Sequence, residues 1–168
     1  MCLPLVAEGE FALVRDHLAV AGSKPVSARG LLFHDNELYA MFVDLAVRHR
    51  DEATLRQYAP LAEEAALRDG HILYQAGAHR AWGVLHRLQG EYVVAEIRLN
   101  QALALFQGLE THWQIGRTLF ELAEVALGRT DPAEARNYFS RALAAFEEMS
   151  AMPDMARTQV ALESLGRA

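Results

Sequence analysis

The stretch YVVAEIRLNQALALF, residues 92–106, and the stretch PAEARNYFSRALAAF, residues 132–146, decide how this chain folds. Set one above the other, Ala95 falls on Ala135, Ala102 on Ala142, Leu103 on Leu143 and Phe106 on Phe146, each pair 40 residues apart. The same offset holds outward. Trp82-Gly83 falls on Leu122-Ala123, Gly116-Arg117-Thr118 on Ala156-Arg157-Thr158, and Leu122 on Leu162. Small residues, large residues and short strings share one period, which is the signature of a repeat architecture. Going backwards the agreement thins: Ala62 lies 40 before Ala102, and Gly9-Glu10-Phe11 echoes Gly90-Glu91-Tyr92.

Each repeat reads as two helices. Apolar residues recur at three- and four-residue spacing, as in Leu99, Ala102, Leu103 and Phe106, which is the period of one helix face. First helices are expected over 72–89 and 112–128 and second helices over 91–107 and 132–149. A last helix opens at Pro153-Asp154 and runs to about Leu165. Asp131-Pro132 is a start signal, an N-cap carboxylate followed by a residue whose missing N–H costs nothing in the first turn. Gly90 and Gly128 stand where first helices end and a left-handed cap favours glycine. Earlier helices are expected near 5–21, 35–49 and 52–69, with the clearest break at Gly22-Ser23-Lys24-Pro25. No stretch alternates at period two, so no sheet is expected.

These residues resemble the tetratricopeptide repeat. The large–small pairs Trp82-Gly83 and Leu122-Ala123 fit its first helix. Ala95 and Ala135, Leu99 and Phe139, and Ala102 and Ala142 fit the small, bulky and alanine positions of its second. Small side chains matter because paired helices approach to about 8–10 Å. The likeness is strong over 70–166 and thinner over 9–69. Two features depart from the family: the period of 40 exceeds the usual ~34, and His79 stands where tryptophan is common. In period, and in the phrase Ala104-Leu105-Phe106…Gly116-Arg117-Thr118-Leu119, the chain is similar to repeats of large bacterial regulators, the LuxR-type ATPases and cyclase-like proteins.

The resemblance implies an all-α solenoid of antiparallel helix hairpins in a right-handed superhelix, about eight helices in one domain. Clear repeats would cover 72–111 and 112–151, a degenerate one about 32–71, and partial ones 1–31 and 152–168. In this frame the chain begins in mid-repeat, so either a half-repeat caps the solenoid or the sequence is a piece of a longer protein.

Composition narrows the function. The chain is 52% hydrophobic with a net charge of -6 from 16 basic and 22 acidic residues, which is globular and lacks the basic footprint of a nucleic-acid binder. Lys24 is the single lysine; the other basic residues are arginines. One cysteine, Cys2, allows no internal disulfide and fits a reducing, cytoplasmic compartment. The apolar start, Met1 to Ala7, has no basic flank and meets Glu8 and Glu10 at once, unlike a secretory signal. No run reaches the ~18 apolar residues of a membrane span.

Motifs for chemistry are absent. There is no P-loop, GxGxxG or GxSxG string, so neither an enzyme nor a cofactor is expected. His79 and His86 are seven apart on one helix and read as packed histidines, because zinc sites use i, i+4 or shorter Cys/His spacings. Glu63-Glu64 and Glu147-Glu148 are adjacent, point to different faces, and read as solvated surface.

The expected function is therefore a protein-interaction scaffold, the partner-binding or regulatory module of a larger bacterial protein. The resemblance implies that first helices line a concave groove. Arg80, Arg87, Arg117 and Arg157 would be its polar anchors and Val84 and Phe120 its apolar contacts. Glu121 and Glu124 lie beside them and could neutralise them. Such arginines suit an acidic peptide through charge-assisted bonds. The family's lysine–asparagine carboxylate clamp is not matched at these positions, so chaperone-tail binding is not implied. Trp113 is expected in a turn, partly exposed. A small-molecule sensor with its ligand in the groove is the alternative. A homodimer through apolar solenoid ends is also expected.

Overall fold

The computed structural model describes residues 35–166 together with Val20, which is helical. The expected helix near 5–21, the break at 22–25 and Cys2 otherwise lie outside the described residues. Within 35–166 there are seven helices and no strand: α1 (Asp35–His49), α2 (Glu52–Arg68), α3 (Ile72–Leu88), α4 (Tyr92–Gly108), α5 (His112–Gly128), α6 (Pro132–Glu148) and α7 (Met152–Leu165). The helix boundaries expected from periodicity and caps agree with these to within a residue or so.

The period of 40 has a simple origin. Helices α2 to α6 are each 17 residues long, and each is followed by a three-residue connection. Every connection carries one residue in the left-handed region: Arg50 (φ 55°), Gly70 (63°), Gly90 (78°), Glu110 (52°), Thr130 (60°) and Ser150 (51°). The next residue folds its N–H back to a carbonyl five positions earlier, as in Glu91 to His86 (2.9 Å), Asp131 to Ala126 (2.9 Å) and Ala151 to Phe146 (3.0 Å). This is the glycine-type helix stop, and the residue that closes it also begins the next helix.

Gly90 fulfils the expected role, but Gly128 does not. Gly128 is the last residue of α5, and the left-handed position after it belongs to Thr130. A Cβ at Gly128 would run into the Tyr92 ring. That glycine serves a close approach, not a turn.

The chain forms two compact units, residues 1–81 and 82–168. In the first, α1 packs against α2. Leu38, Phe42, Leu55 and Ala59 are fully buried, and the Phe42 and Tyr58 rings stack with centroids 4.0 Å apart. Asp51 caps α2 by accepting the Thr54 N–H at 3.1 Å. Asn36 ties the start of α1 to the end of α2 by donating to Asp69 at 2.6 Å.

In the second unit, α5 packs against α4 and α6, and α6 packs against α7. Its buried core takes Ala95, Leu99, Leu122, Ala135, Phe139 and Phe146 from successive helices. The repeat's small positions mark close crossings. A Cβ at Gly83 would lie 2.5 Å from Leu99 Cγ, and one at Gly116 2.7 Å from Phe146 Cε1. At its N-terminus α6 is capped by Asp131, which accepts the Glu134 N–H at 2.9 Å, with Pro132 at the first helical position.

Candidate interaction surface

Buried helices position the candidate residues. Helix α5 is covered on most sides, and every residue from Gly116 to Ala123 is buried. One stripe of it carries Trp113, Arg117, Phe120, Glu121 and Glu124, at spacings that share a helix face.

Arg87 reaches this stripe from α3. Its Nη2 donates to Glu121 at 3.2 Å, and its Nη1 lies 3.6 Å from Glu124. All three side chains are largely shielded from solvent. Two carboxylates facing one guanidinium satisfy its charge locally. Burial makes the pair costly to break on one side, though not a large net source of stability.

On the α7 side the contacts are aromatic. Trp113 Nε1 donates to Asp154 at 2.8 Å. The Arg117 guanidinium lies 4.7 Å from the Trp113 ring centroid, and that of Arg157 lies 4.0 Å from the Phe120 centroid. Arg157 is exposed whereas Arg117 is only 7% exposed. A guanidinium within about 6 Å of a ring centroid is attracted by the negative face of the ring. In the first unit, Arg80 is 3% exposed and donates to Asp44 at 3.1 Å.

The expected groove therefore needs correcting. Val84 and Phe120 are buried and cannot serve as exposed apolar contacts. Arg80, Arg87 and Arg117 are inward-facing and engaged, because small residues at the crossings draw the helices together over them. The neutralising role read for Glu121 and Glu124 is realised through Arg87. Only Arg157, of the four arginines, is exposed. Trp113 is half-buried on α5, and its bond to Asp154 escaped the sequence reading. Asp154 reads in the sequence only as part of the start of the last helix, and no local pattern pairs it with Trp113, 41 residues earlier.

The histidines on α3 are packed as expected. His79 and His86 are half-buried, and the His86 ring stacks on Trp82 (5.6 Å) with Nδ1 2.6 Å from Glu91. Glu64, Glu147 and Glu148 are exposed and Glu63 partly so. Among the described residues no group of His, Cys, Asp or Glu could hold a metal, and no helix is long and apolar enough to cross a membrane.

Antiparallel helix pairs of constant length, repeated every 40 residues with small residues at the crossings, define a helical-repeat scaffold. Residues 74–148 match the tetratricopeptide repeat family model. No curated protein matches the chain in sequence. Tetratricopeptide repeats in general are non-catalytic and mediate protein–protein interaction.

Proposed function

We propose that this chain is a protein-interaction scaffold, the partner-binding module of a larger bacterial signalling or transcription regulator, and that it engages an acidic peptide segment on its first-helix side. The observation that carries the reading is Arg157, an exposed guanidinium held over Phe120 at the edge of the Trp113–Arg117 stripe. Charge-assisted bonds from such a guanidinium to a peptide carboxylate are short, directional and stronger than neutral ones. Arg87 and Arg117 then act from within the same unit, fixing the helix that carries Phe120 beneath Arg157.

The test is affinity capture with the wild-type chain, Arg157→Glu and, as a control on α6, Arg141→Glu, all three checked for equal helicity. A partner retained by the wild type and the control but lost with Arg157→Glu supports the assignment. A partner retained by all three keeps the scaffold and removes this surface from it. Capture by none of the three counts against the scaffold reading.

A further inference from the structure

The outward stripe of α4 is unlike that of its sister helices. Val93, Ile97, Asn100, Gln101, Ala104 and Gly108 fall along one face, and all are exposed. Val93 is 69% exposed and Ile97 55%, with Val94 at their edge at 41%. Over its four turns this face carries no charge. In the same register α6 presents Arg141 and Glu148, and α2 presents Glu64 and Arg68. The flanking charges of α4 turn sideways: Glu96 pairs with Arg129, and Arg98 lies over the Trp82 ring at 5.6 Å.

The order of residues along this face is self-complementary. Its first half is large and apolar and its second half small. A second α4 running antiparallel sets Val93 against Gly108, Ile97 against Ala104, and Asn100 against Gln101. Each bulky side chain meets a small one, and the two central amides, each both donor and acceptor, meet each other. A two-fold axis requires this property of a surface that pairs with itself. An acidic or basic partner would find no countercharge on it.

We propose that α4 is a docking surface for a second copy of this chain, the two helices packing antiparallel about a two-fold axis beside Asn100 and Gln101. The surface is small. A 17-residue helix is about 25 Å long and about 10 Å wide, so the pair covers well under the ~1,200 Å² of a stable interface. The dimer is accordingly weak, with a Kd in the micromolar-to-millimolar range.

Sedimentation velocity from about 1 μM to about 1 mM tests this on the full chain. Mass should rise from one chain towards two. Ile97→Lys alone and Ala104→Glu alone each bury an uncompensated charge and should weaken association at least about tenfold. The double variant Ile97→Lys/Ala104→Glu should restore it, because each introduced ammonium then faces the other copy's introduced carboxylate. Both positions are exposed in the single chain, so circular dichroism should be the same for all four proteins. A monomer across the whole range overturns the proposal. So does a dimer indifferent to the single variants, or one that the double variant fails to restore. A monomer whose α4 variants lose a different bound protein gives the face to that protein and overturns it as well.

Discussion

Helices α4 and α6 are the same helix twice on the inside and two different helices on the outside. Inside, Ala95 and Ala135, Leu99 and Phe139, Ala102 and Ala142, and Phe106 and Phe146 are all buried to 1% exposure or less. Outside, α6 carries charge and α4 carries valine, isoleucine, alanine and glycine. Packing against the first helices fixes the inner set, because a crossing tolerates neither extra bulk nor missing bulk. Among the described residues the outer set is exposed and lies outside that core, so core packing does not hold the two helices to one outer sequence.

If the inner sets are equivalent, truncating either should destabilise the unit strongly, with the larger side chain costing more. Phe139→Ala should cost about 4 kcal/mol and Leu99→Ala about 3 kcal/mol, read from urea unfolding. A loss under about 1 kcal/mol at either site would mean that its helix is not held by the core.

The crossings differ by one methyl group. Gly83 faces Leu99 so closely that a Cβ would lie 2.5 Å from its Cγ and 3.2 Å from the Ala95 carbonyl; Ala123, its counterpart, already has that methyl. Gly83→Ala should therefore cost about 1–2 kcal/mol through overpacking, despite alanine's better helix propensity. A stabilised variant would show that the α3–α4 crossing relaxes as freely as the α5–α6 one.

The helix starts differ too. Asp131 caps α6, whereas Glu91 makes no side-chain cap on α4. Asp131→Ala should cost about 1 kcal/mol, and Glu91→Ala at most about 0.5 kcal/mol, as for an exposed residue without a capping bond. Equal losses would remove this distinction.

The smallest effect concerns Tyr138 of α6, which stands where α4 has Arg98. Burial, then Glu134 and Glu96, raise its phenol above the ordinary value, with Arg141 and Arg129 pulling the other way. The folded state thus favours the neutral phenol. Its contribution is intact below about pH 10 and is lost as pH rises through and beyond that value, where the unfolded chain ionises first. Tyr138→Phe should flatten the alkaline limb of stability against pH. An unchanged limb would remove Tyr138 from the account.

Much of this was legible in order along the chain. The offset of 40 is a local string comparison, and caps such as Asp131-Pro132 act within one turn, so helix positions follow without any knowledge of packing. The exchange of roles between Gly128 and Thr130 was not legible. A glycine near a helix end looks the same whether it serves a turn or, as here, makes room for a ring 36 residues away in sequence. The arginines misled for a related reason. Residues on the groove side of a first helix read as outward, yet Arg87 and Arg117 are covered by neighbouring helices.

Sequence by itself determined the helices, their common length, their pairing and the small residues at their crossings, because periodicity and capping are properties of neighbours along the chain. Tertiary structure alone decided which charges face inward, that Arg87 meets Glu121 and Glu124, that Trp113 meets Asp154, and that Arg157 stays exposed over Phe120. Those outcomes depend on distances between side chains some 34 to 41 residues apart, set by how closely the helices pack, and no local pattern encodes them.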